Sequence, residues 1–166
     1  MDGTHTEMTP EYTRNLERGL NYQYWVQKMF PKVYKGRTIT YYEGKENQLR
    51  GESQEGIEVK LDDKIYQYCK TGRLYIEMEE KSNALNADYV ESGIYRNDNT
   101  KIWLIGDYTI WFLFSKQKLI WLDRLDPPFL FRPKPTQTSI GFCIPIKNAK
   151  ELCLDYVEFS SEKELF

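Results

Sequence analysis

The sequence predicts an α/β domain of the α+β kind, a central mixed β-sheet flanked by helices. Three features carry this expectation. Tyr12, Leu16, Leu20 and Tyr24 recur at four-residue spacing, which is helical; two charged segments between Gly56 and Lys81 alternate apolar and polar residues; and Lys101 to Phe114 is apolar on both faces. With 166 residues and 40% hydrophobic content, the chain can bury one sizeable core and is short for two, so residues 1–166 are expected to form a single domain.

Met1 to Met8 is polar and expected to fray. Thr9-Pro10 reads as an N-cap followed by proline at the first helical position, opening a helix to about Met29. Trp25 and Met29 widen its apolar face, and Pro31 is expected to stop it. Thr38 to Tyr42, β-branched and aromatic, predicts a short strand, and the polar, Gly-punctuated run Glu43 to Glu55 an exposed loop with a helical turn.

Two strands follow. In the first, Ile57, Val59 and Leu61 share one face, while Glu58, Lys60 and Asp62 share the other. The second places Leu74, Ile76 and Met78 opposite Tyr75, Glu77, Glu79 and Lys81. Thr71-Gly72 is a closing turn signal, so the two are expected to pair as a hairpin. Matching their apolar faces would then put four carboxylates and two lysines on one patch. Such a patch can bind a divalent cation and activate water beside it.

Downstream, Lys101 to Phe114 predicts a second hairpin turning at Gly106-Asp107, in the middle of a covered sheet. Ser115 is a fair N-cap for a helix to about Arg124. Asp126 to Pro135 holds four of the seven prolines and predicts a stiff loop over Phe129, Leu130 and Phe131. A strand over Ile140 to Ile146 and a short helix over Lys147 to Leu154 complete the reading.

Composition narrows the chemistry. The only histidine, His5, lies in the N-terminal tail, which argues against a histidine-based metal site, a histidine base or a Ser-His-Asp triad. Cys69, Cys143 and Cys153 lack metal-ligand spacing and no N-terminal run resembles a signal peptide, so a reduced, cytoplasmic setting is expected. The richest apolar stretch, Ile102 to Phe114, is interrupted by Gly106 and Asp107, so no membrane partner is expected. A net charge of −2 does not advertise nucleic-acid binding, although a metal-dependent nuclease gathers acids at its centre and lets cations reshape the local field.

The acidic Asp62 ending one strand, and Glu79-Glu80-Lys81 on the next, resemble the PD-(D/E)xK nuclease superfamily, whose fold is restriction-endonuclease-like. The Gly-Ile-Glu-Val-Lys-Leu-Asp lead-in, the Thr-Gly turn before Leu-Tyr-Ile-Glu, and Ser92-Gly93-Ile94 are similar to small phage and bacterial members. The resemblance spans roughly Gly51 to Phe114. Leu61 stands where the family has proline, and a second frame, Glu77-Met78-Glu79, puts Glu where lysine is expected, so both frames stay open.

The resemblance implies hydrolysis of phosphodiester bonds, most often in DNA, in a bacterial or phage-infected cell. Asp62 and Glu79 would hold Mg²⁺ or Mn²⁺, with Glu77 and Glu58 as further metal candidates. Lys81 would assist the attacking water, Glu77 is a further catalytic candidate, and Lys60 would neutralise the carboxylates around it. Small enzymes that cut both strands commonly pair two sites, which adds a homodimer to the expectations. The competing class is a nuclease-like module without turnover that binds nucleic acid or a protein partner as an anti-defence or regulatory factor. Residues given smaller weight are Asp63 as a turn residue, Ser92 as a phosphate contact, Arg96, Lys101 and Lys116 along a nucleic-acid path, and Tyr41, Tyr42, Tyr66 and Tyr68 as stacking groups. The bland alternative is a solvated strand face crossed by ordinary ion pairs.

Overall fold

The computed structural model describes residues 10–63, 65, 71–81 and 85–159. The N-terminal tail with His5, most of the segment between Asp63 and Thr71, Tyr66, Tyr68 and Cys69 lie outside the described residues.

The chain opens with helix α1 (Pro10–Val33). Pro31 sits inside its last turn instead of ending it. A proline there removes a single backbone donor, and the turn still closes through the Tyr34 N–H to the Phe30 carbonyl at 2.8 Å. The buried face also differs from expectation. Tyr22, Val26 and Phe30 are buried, whereas Leu16, Leu20 and Tyr24 are exposed, because the sheet lies against the face that Trp25 and Met29 flank. Thr38 to Tyr42 forms only an isolated bridge, Tyr41 to Ser53, and the following loop contains the single turn α2 (Lys45–Gln48).

The remaining elements are β1 (Ile57–Leu61), β2 (Arg73–Glu80), β3 (Val90–Glu91), a 3-10 turn at Gly93–Tyr95, β4 (Ile102–Gly106), β5 (Ile110–Ser115), α3 (Lys116–Leu125), β6 (Ser139–Pro145), α4 (Ile146–Leu152) and β7 (Asp155–Glu158). The architecture is α+β, with a mixed four-stranded sheet ordered β1-β4-β5-β7 and an antiparallel three-stranded sheet ordered β3-β2-β6. The expected second hairpin is present as β4 and β5, with the Asp107 carboxylate accepting from the Thr109 and Ile110 N–H groups at its turn. Ser115 caps α3 by accepting from Lys118 N.

The first expected hairpin is absent. β1 pairs with β4 in parallel and β2 pairs with β6 and β3, so the two charged strands belong to different sheets. An apolar face dictates which side of a strand is covered and leaves its partner open. Here the wholly apolar β4 offers β1 a fully covered neighbour.

Two cores result. On one face of the larger sheet, Ile57, Val59, Leu104, Trp111 and Leu113 pack against Tyr22, Val26 and Phe30. On the other, Trp103, Ile105, Phe112 and Phe114 meet Leu74, Ile76, Phe142 and Ile144 of the smaller sheet, closed by Leu119 and Leu122 of α3. Side chains of this size each contribute about 1.5–3 kcal/mol on full burial, so the β4–β5 pair buried from both sides is the main anchor. No helix among the described residues is long and apolar enough to cross a membrane.

Candidate functional site

A cleft of about 520 Å³ opens where the end of β1 meets the outward face of β2, and Lys60, Asp62 and Glu77 line it together. The alternation of β1 is as expected: Glu58 stands beside Trp103 and Lys60 beside Ile105 in the parallel ladder, on the face turned toward the smaller sheet. Asp62, nearly buried, continues that ladder by donating its N–H to the Gly106 carbonyl at 2.7 Å. Its carboxylate Oδ2 accepts the Tyr75 N–H at 2.8 Å. That bond joins the two sheets at the cleft.

Glu77 reaches the same place from β2. Ser92 hydrogen-bonds its side chain, and Gly93 lets the turn lie flat against its backbone. Burial raises the Glu77 pKa, Glu80 and Glu58 push it further up, and Lys60 and Ser92 partly oppose this.

Glu79 and Lys81 are placed elsewhere. A β-bulge between Glu77 and Glu79 breaks the alternation: Glu77 lies opposite Gly141, yet Glu79 lies opposite Ile140. Neighbouring residues of β6 face opposite ways, so Glu79 falls on the other side of the sheet from Glu77. Glu80, opposite Ser139, takes the position that simple alternation would give Glu79. The Lys81 ammonium sits 4.4 Å from the Tyr89 ring centre, and neither Glu79 nor Lys81 lines the cleft. Of the expected face of Glu58, Lys60, Asp62, Glu77, Glu79 and Lys81, the cleft therefore brings together only Lys60, Asp62 and Glu77.

Around Lys60 the charges are densely set. Its ammonium lies 3.1 Å from Glu58 Oε1 and 5.8 Å from the Trp103 ring centre. Burial works against its charge, but Glu58, Glu52 and Glu77 outweigh that and hold its pKa above the ordinary lysine value. Glu52, which sequence reasoning missed, accepts the Val59 N–H at 2.8 Å, and burial lifts its pKa to about 7 despite Lys60 nearby. It precedes the strand in a polar loop, where nothing in the local pattern signals burial. Glu58 Oε2 and Trp103 Nε1, on register-paired residues, are buried without a hydrogen-bond partner among the described residues. Unmet polar groups of this kind are rare in relaxed cores.

Other sequence candidates have structural duties. Arg96 and Lys116 both pair with Asp98, and Lys116 also donates to the Arg96 carbonyl. Tyr41 donates to the Gln23 carbonyl. Asp63 pairs with Arg18 at 3.3 Å and lines the cleft.

Among the described residues, no group of three or more His, Cys, Asp or Glu side chains could hold a metal ion, so the expected four-carboxylate set of Asp62, Glu79, Glu77 and Glu58 is not assembled. Mg²⁺ commonly takes only one or two protein carboxylates, with waters and substrate phosphate oxygens completing its shell. Asp62 and Glu77 are two carboxylate residues that line the same cleft. The chain matches no protein-family model, no curated protein and no solved structure.

Proposed function

We propose that the cleft hydrolyses phosphodiester bonds in nucleic acid, DNA in the first instance, with Asp62 and Glu77 holding Mg²⁺ or Mn²⁺. The observation that carries this reading is the convergence of Lys60, Asp62 and Glu77 on one cleft from two separate sheets. When bound, the ion would supply positive charge against the scissile phosphate. Asp62 is held in place by the Tyr75 N–H, so its carboxylate is oriented before substrate arrives. Lys60, kept charged by its acidic neighbours, would meet a phosphate oxygen or orient the attacking water. Glu77, whose side chain Ser92 hydrogen-bonds, would hold the ion from the β2 side, and the proton of the attacking water would pass to solvent through the open cleft.

A binding module without turnover is the second reading, favoured by the absence of a three-ligand group among the described residues. Digestion of plasmid and single-stranded DNA with Mg²⁺ or Mn²⁺, with chelator as control, separates the two. The hydrolytic reading expects metal-dependent cutting that Asp62→Asn lowers at least a hundredfold in a folded protein. Binding without cutting in every metal would establish the module instead.

A further inference from the structure

We propose that this cleft contains a stacking subsite for one unpaired base, which makes single-stranded nucleic acid, rather than duplex, the substrate of the site; the inference rests on the nucleic-acid reading above. A transverse row of bonded residues crosses the cleft floor. Phe131 exchanges two backbone hydrogen bonds with Cys143, at 3.0 and 2.7 Å, Cys143 pairs with Tyr75 across the β2–β6 ladder, and the Tyr75 N–H meets Asp62. Phe131 and Tyr75 thus stand two strand spacings apart, about 10 Å, with the acids beyond.

Phe131 is 45% exposed, yet its position is fixed. Besides the bonds to Cys143, the next residue, Arg132, pins the proline-rich loop to Asp123 and Asp126 at 2.8 and 2.9 Å. The Arg73 guanidinium lies over the Phe131 ring, 4.2 Å from its centre, so a cation covers one face of the ring while the residue remains 45% exposed. Tyr75 is steadied by a 2.6 Å hydrogen bond between its hydroxyl and Ser139. Rigid aromatic faces beside cations are the means by which proteins grip unpaired bases, whose faces are hidden inside a duplex. A cleft of about 520 Å³ also suits a single small-molecule-sized group, as a nucleotide is.

The test uses fluorescence anisotropy with Ca²⁺ in place of Mg²⁺. The probes are fluorescein-labelled decathymidylate, the same strand annealed to its complement, and an abasic strand of equal length. The expected result is that decathymidylate binds about tenfold or more tightly than either alternative, that Phe131→Ala erases the difference, and that Phe131→Trp preserves it. Failure of decathymidylate to bind, equal binding of the abasic strand or the duplex, or unchanged preference in Phe131→Ala would each overturn the subsite. The readout is binding alone, so failure of the hydrolytic step shows only in the digestion panel and leaves this contrast standing.

Discussion

The Asp62 carboxylate accepts the Tyr75 backbone N–H at 2.8 Å while the Asp62 N–H donates to the Gly106 carbonyl at 2.7 Å. One residue is thereby bonded to both sheets at the point where the cleft opens. The side-chain bond satisfies a donor on the edge of β2 that no strand among the described residues covers at that level, since β3 pairs with Glu79 and Glu80.

Two substitutions at Asp62 should therefore part company. Asp62→Asn keeps an acceptor for Tyr75 and should hold stability within about 1 kcal/mol, whereas Asp62→Ala leaves the donor unmet and should cost about 1–3 kcal/mol. Urea unfolding midpoints measure both. Equal stability of the two variants would show that the bond contributes nothing.

The bulge makes a second prediction. Glu77→Gln should remove metal-dependent cutting, and Glu79→Gln should leave it within about threefold, because Glu79 faces the opposite side of the sheet. Initial rates on a common DNA substrate decide it. Loss in Glu79→Gln with cutting retained in Glu77→Gln would restore the frame that simple alternation suggested.

Glu52 should make the protein less stable as pH rises. Its folded pKa of about 7 lies above the ordinary 4.5, so the folded state binds the extra proton between those values. Stability is then lost from about pH 4.5 to about pH 7, and the full penalty persists above that range. Burial of Glu77 acts in the same direction. Glu52→Gln keeps an acceptor for Val59 and removes the titration, so it should gain on wild type by up to about 3 kcal/mol at pH 8 and little at pH 4. Thermal unfolding across that range tests the sign.

Gly93→Ala should destabilise the turn beside Glu77. Gly93 has φ of +56°, and a Cβ there would lie 2.0 Å from the Glu77 carbonyl oxygen. The left-handed backbone costs about 1–2 kcal/mol for alanine, and the contact with backbone adds to it, so a loss above about 2 kcal/mol is expected in chemical denaturation. A loss below about 0.5 kcal/mol would mean that the turn relaxes freely.

Much of the local structure could be read directly along the chain. The faces of β1, the Gly106-Asp107 turn and the Ser115 cap each depend on a few consecutive residues. Asp62 and Glu77 were grouped through a β1–β2 hairpin that does not form, so their meeting in the candidate cleft was not legible from local pattern. Lys60 was recognised as a neutraliser of the surrounding acids, but its place on the cleft wall required knowing which sheet carries β1. The short strands β3 and β7 went unread, since Val90–Glu91 and Asp155–Glu158 gain strand geometry only from the neighbours they pair with.

By itself the sequence determined the α+β class and the side of β1 that carries charge, because alternation and capping are short-range properties of the backbone. The tertiary structure decided that β1 joins β4 instead of β2, that a bulge against β6 sends Glu79 away from Glu77, and that Phe131 and Arg73 meet beside the acids. Strand partners are selected by the burial of distant apolar faces, and a shift of one residue in register exchanges the two sides of a strand. That is why Lys60, Asp62 and Glu77, drawn from two sheets, became neighbours only in the folded chain.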